Sequence, residues 1–145
     1  MNHKSGVYYL LFVAVIAFGT ALAHFSCIFL GPACYELQMA PQSIIESAVK
    51  GTIFAPLMTI AISSVFVIVA LYALSAARLI KHLPLLKLGV YVISIICILR
   101  GLLPIAALTF NYDMVTVKGI LIGFVWLATG SFFIYGFRKI NADLK

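Results

Sequence analysis

The chain has 145 residues, 64% of them hydrophobic and only 10% charged, with a net charge of +6 and a mean hydropathy of +1.16. Soluble domains average about 45–50% apolar and about 25% charged residues. A soluble fold of this size is therefore excluded, and lipid must solvate much of the surface. The positive charge does not point to nucleic acid: the basic residues gather at the ends of apolar runs, where anionic headgroups lie, and no nucleic-acid-binding motif is present.

A helix needs about 20 mainly apolar residues to cross a bilayer, and four stretches meet that length: Val7–Leu30, Pro56–Leu79, Lys87–Leu108 and Gly119–Phe137. The first has a basic start at Lys4 and an Ala21-Leu22-Ala23 resembling a cleavage site. The apolar run continues to Leu30, which favours an uncleaved helix over a signal peptide. Gly31-Pro32 ends it. Between the first two spans, Pro41 to Gly51 places Ile44, Ile45, Ala48 and Val49 on one helical face and Ser43, Glu46 and Lys50 elsewhere, which predicts a short amphipathic cap helix over 41–51. His82-Leu-Pro84 separates the second and third spans, and Asn111-Tyr-Asp113 the third and fourth. Pro104 lies inside the third span and predicts a kink or an early helix end. Small residues spaced for helix contact occur at Gly19 and Ala23, at Ala70, Ala73 and Ala77, and at Gly119, Gly123 and Gly130.

Lysine and arginine set the orientation. Lys4, the central loop (Arg78, Lys81, Lys87) and the C-terminal segment (Arg138, Lys139, Lys145) stand against Lys50 and Lys118 in the other two connections. This bias predicts both termini and the central loop in the cytoplasm, with Glu36, Glu46 and Asp113 outside. The expected fold class is all-α: one integral-membrane domain over 1–145, a four-transmembrane-helix bundle with an extracytoplasmic amphipathic helix between the first two spans.

Arg100 is the anomaly, since a charge at mid-helix in lipid costs roughly 2.5–3.5 kcal/mol on insertion scales and is seldom left facing lipid. Its depth in the third span is similar to that of His24 in the first, with Glu46 of the cap above. One reading is an outward-facing pocket in which Arg100, His24 and an acid, Glu46 or Asp113, bind a small anionic or amphipathic ligand, with Ser63 of the second span on its wall. The other is that Arg100 snorkels to the outer interface and pins helix depth. His24 and Cys27 share a face, but two ligands are too few for a metal or haem, so a histidine bonded to a backbone carbonyl is the simpler expectation. Cys27 and Cys34 are either free thiols or a structural disulfide on the outer side. Cys97 and Trp126 read as packing. Thr59, Ser63, Ser64 and Ser94 are candidates for hydrogen bonds across helices.

No catalytic or cofactor motif occurs, and no metal is expected. No carboxylate falls inside any span, which removes the group with which small proton-coupled exporters exchange protons for substrate. A lipid-directed enzyme using His24 as base would lack a visible second catalytic group. The combination of His24-Phe-Ser-Cys27, Gly31-Pro32, Tyr72-Ala-Leu-Ser75, Leu83-Pro84-Leu85 and Leu99-Arg100-Gly101-Leu102 resembles a group of uncharacterised bacterial small four-helix inner-membrane proteins. That resemblance implies a bacterial inner-membrane location and adds no activity. The expected function is binding, and with it transport or sensing, of an amphipathic or anionic ligand or lipid. The alternative is a non-catalytic accessory subunit of a larger membrane complex or an envelope-maintenance protein, with homo-oligomers as a further form of assembly.

Overall fold

The structure, a computed structural model, describes residues 3–110 and 116–142, so Asp113 lies outside the described residues. Those residues form six helices and no strand: α1 (His3–Leu30), α2 (Pro32–Leu37), α3 (Gln42–Val49), α4 (Phe54–Ala76), α5 (Leu86–Phe110) and α6 (Val117–Ala142). Four of them, α1, α4, α5 and α6, are long and apolar enough to cross a membrane.

Local chemistry explains the ends of these helices. Gly31 adopts φ 78° and ψ −164°, a conformation open to glycine, and Pro32 then opens α2 at its first position. α2, α3 and α4 each close on a left-handed residue, Met39, Gly51 and Arg78 respectively. In each case the next N–H reaches back five residues: Ala40 to Tyr35, Thr52 to Ser47, and Leu79 to Leu74. This is the Schellman arrangement, which satisfies carbonyls that a helix end would otherwise orphan. It stops α4 at Ala76, short of the expected Leu79. The start of α4 is capped from a distance, because the Ala55 N–H donates to Ser47 Oγ at 2.8 Å. Thr116 caps α6, its Oγ1 accepting from the Gly119 N–H at 3.1 Å. α5 does not end at Pro104 but continues to Phe110. Membrane helices tolerate such a residue.

The chain divides into two compact units, residues 1–14 with 71–145, and residues 15–70. In the first unit, α5 and α6 pack along a seam of buried positions: Val90, Ser94, Cys97 and Gly101 on α5, with Gly123, Trp126, Gly130 and Phe133 on α6. The backbones approach closely at the glycines. A Cβ on Gly101 would stand 2.6 Å from the Gly123 carbonyl oxygen, and one on Gly130 would stand 2.7 Å from the Ser94 carbonyl oxygen. The first turns of α1 meet the far half of α6, with Gly6 against Ile140, Leu10 against Gly136, and the Tyr9 ring 5.0 Å from Phe132 and 5.1 Å from Tyr135.

In the second unit, Cys27, Tyr35, Ile44 and Ala55 form a core against which Ile45, Ala48 and Met58 pack. The short helix α3 therefore turns Ile44, Ile45 and Ala48 inward, as its periodicity predicts, but Val49 is exposed and Ser47 is buried in its place. Ser47 is drawn in because its hydroxyl serves the α4 cap and lies 2.6 Å from Thr52 Oγ1. Gly19 and Ala23 are exposed, and a Cβ on Gly19 would meet nothing within 4 Å. The helix contact expected there is not made among the described residues.

Candidate functional site

Arg100 belongs to the first unit and His24, Glu46 and Ser63 to the second. Arg100 is exposed on α5 and has no carboxylate within ion-pair distance among the described residues. His24 is half-buried; its Nδ1–H donates to the Thr20 carbonyl at 3.0 Å, and its ring stands 5.4 Å from that of Phe66. Glu46 is exposed and pairs with Lys50 one turn on, at 3.8 Å. Ser63 is buried, and its Oγ has no hydrogen-bond partner among the described residues. The hydroxyls of Thr59, Ser64 and Ser94 donate to carbonyls four residues back in their own helices, and Thr59 bonds across to α2 as well, meeting the Tyr35 hydroxyl at 3.1 Å. Among the described residues, no three His, Cys, Asp or Glu side chains gather into a metal-binding group.

Cys27 and Cys34 are joined by a disulfide, with the Gly31-Pro32 turn between them and the Cα atoms 5.1 Å apart. The Gln38 side-chain amide donates to Cys27 Sγ at 2.9 Å and to the Ala23 carbonyl, so the start of the connection is tied to the end of α1. Alkylation of the native protein should label Cys97 at most, and labelling after reduction should add two further adducts. Three adducts before reduction would show that the bond is absent.

A cleft lined by several basic side chains lies elsewhere, wholly within the first unit. Its volume is about 980 Å³, and it opens where the α4–α5 turn meets the last turns of α6. Arg78, His82, Lys87 and Arg138 line it, above a floor that includes Leu86, Tyr91 and Phe137, and no carboxylate lines it among the described residues. The Tyr91 and Phe137 rings meet edge to face at 6.2 Å.

The sequence builds this turn in detail. Ser75 is fully buried; its hydroxyl donates to the Lys81 carbonyl at 3.1 Å and accepts from the Leu83 N–H at 3.0 Å. The Tyr72 hydroxyl donates to the Pro84 carbonyl at 3.2 Å, and its ring abuts Gly89, leaving no room for a Cβ there. Arg78 and Leu85 hold positive φ values of 61° and 53°. Such backbone costs of order 1–3 kcal/mol per residue and concentrates at functional sites. Two of the three non-glycine residues described with positive φ thus line the one cleft.

The electrostatics are one-sided. Leu86, Lys87 and Leu88 are the first residues of α5, and their N–H groups have no acceptor within the helix. The positive end of the helix dipole therefore opens on the cleft, with no acidic residue in the first turn to balance it. Three basic side chains add to that field. An anion would find both charge and free donors here.

Comparison with protein-family models, with curated proteins and with solved structures finds no match to this chain. In the sequence, Arg78, Lys87 and Arg138 serve only to orient the chain and carry no sign of a shared site. The available signal was the spacing of Arg78, Lys81, His82 and Lys87 around Pro84 without an acid among them. The contribution of Arg138 comes from the far end of α6, and only folding brings it to the turn.

Proposed function

We propose that this chain is a multi-pass inner-membrane protein whose cleft at the α4–α5 turn binds the anionic head of an amphiphile on the cytoplasmic side. The observation that carries the reading is the convergence of Arg78, Lys87, Arg138 and the open N-terminus of α5 on one cleft that no described carboxylate lines. The floor of Leu86, Tyr91 and Phe137 suits the apolar shoulder of such a ligand. Orientation is supported by the excess of basic residues at the start of α1, in the α4–α5 turn and at the end of α6. The Cys27–Cys34 bond agrees with it, because the α1–α4 connection then faces the compartment where disulfides persist. The site so proposed is the inner cleft rather than the outward pocket around Arg100.

Native mass spectrometry of the full chain in mild detergent tests this reading. The protein should retain phosphatidylglycerol in preference to phosphatidylcholine. Each basic residue near an anionic surface contributes about 1 kcal/mol, so the triple change Arg78→Gln, Lys87→Gln and Arg138→Gln should weaken retention about a hundredfold. Lys118→Gln, at the other end of α6, should leave it unchanged. Equal retention of the two lipids, or a triple variant that binds as the parent does, overturns the reading. Arg78→Gly separates binding from backbone fit. Glycine relieves the positive φ, so stability should rise by about 1 kcal/mol while retention falls.

A further inference from the structure

Arg100 remains outside this cleft and calls for its own explanation, which rests on the chain spanning a membrane but not on what the cleft binds. At 1.5 Å per residue, Arg100 lies about 21 Å from the Leu86 end of α5 and about 15 Å from its Phe110 end. Side chains on a helix lean toward its N-terminus. On α5 that direction is toward Leu86, away from the nearer interface and into the hydrocarbon. Snorkelling to the outer headgroups therefore works against the geometry of the helix itself.

The side chain does not turn into the packed seam either. Cys97 and Gly101 are buried on the α6 side, whereas Ile96 and Leu103, one turn to either side of Arg100, are 58% and 65% exposed. Arg100 thus stands at the edge of an exposed apolar stripe. None of the four apolar helices contains an aspartate or glutamate, so a second copy of this chain offers no carboxylate at that depth. A guanidinium at mid-membrane is costly without a partner, and intramembrane charges that persist pair with one another or with backbone carbonyls.

We infer that the exposed face of α5 around Arg100 docks a transmembrane helix of another protein carrying a carboxylate about 15 Å from its outer end. Ile96 and Leu103 pack against that helix, and Arg100 meets its acid.

Fluorescence energy transfer in phosphatidylcholine vesicles tests the docking. The full chain is paired with either of two model Leu/Ala transmembrane helices, identical except for Asp or Leu at the matching depth. The Asp helix should associate about tenfold more strongly than the Leu helix, and Arg100→Leu should abolish the preference. Equal association of the two helices, or a preference that survives Arg100→Leu, overturns the inference. A preference that appears only in Asp113→Asn shows that Arg100 is neutralised within its own chain. One that vanishes in phosphatidylglycerol vesicles assigns Arg100 to lipid phosphate. Arg100-dependent transfer between labelled copies of the chain assigns it to self-association. Each of these overturns the docking. Alkaline extraction of the same vesicles reports on the spanning separately. Release of the parent chain would overturn the spanning and the docking together, whereas retention with no helix preference would overturn the docking alone.

Discussion

Gly101→Ala and Gly130→Ala should each destabilise the protein by about 2 kcal/mol, the middle of the range for overpacking a tight contact. Both glycines stand where α5 and α6 meet backbone to backbone. A methyl group at Gly101 falls 2.6 Å from the Gly123 carbonyl oxygen and 2.6 Å from Leu127 Cγ. At Gly130 it falls 2.7 Å from the Ser94 carbonyl oxygen and 2.8 Å from Ile98 Cγ1. A leucine tip can swing aside, but a helix carbonyl cannot without separating the helices. In lipid this separation is costly, because helix association there depends on close packing rather than on expulsion of water. Gly19→Ala is the matched control. Nothing lies near that position, so the change should be neutral or should stabilise by the difference in helix propensity, up to about 1 kcal/mol. Thermal unfolding of the three variants in one detergent checks the contrast. If all three behave alike, the close approach of α5 and α6 is not what holds the first unit together.

Ser75→Ala should cost about 2 kcal/mol and should also weaken anion retention at the cleft. Its hydroxyl both donates to the Lys81 carbonyl and accepts from the Leu83 N–H. Leaving such groups unsatisfied costs about 1–3 kcal/mol each when buried. Both of these are only partly buried, so water recovers some of the loss. The functional consequence follows from position. Arg78, His82 and Leu85 all sit on the segment that Ser75 folds back, so loosening it disperses the charges that line the cleft. Lipid retention and thermal stability should therefore fall together in Ser75→Ala, whereas in Arg78→Gly they should move in opposite directions. A Ser75→Ala protein of parental stability would show that the two bonds do not hold the turn.

The boundaries that the sequence makes visible are those governed by local chemistry. Gly31-Pro32 ends α1 because the backbone there adopts a glycine conformation followed by a residue with fixed φ. Pro84 separates α4 from α5, and both turns are legible as letters. The end of α4 is not, because its closing residue is an arginine in a left-handed conformation where glycine is usual. Ser47 was equally illegible as a core residue: its burial follows from a bond to the Ala55 N–H of the next helix, which periodicity within α3 cannot express.

By itself, the sequence determined that the chain is all-helical with four segments able to cross a membrane, where most of them break, and that Arg100 stands alone among apolar neighbours. These follow from length, hydropathy and turn residues, all of which act over a few positions. The tertiary structure decided which faces meet. Helices that are apolar all round carry no periodic signal to separate a protein-facing side from a lipid-facing one. Small-residue spacing marked Gly123 and Gly130 as a contact face, but their partner Gly101 became visible only through the close approach of backbones. The cleft likewise joins residues 75–91 to residues 137–142, and no local pattern links the two. Charges that served in the sequence only to orient the chain line one cleft because a buried serine and the end of α6 gather them around one helix N-terminus.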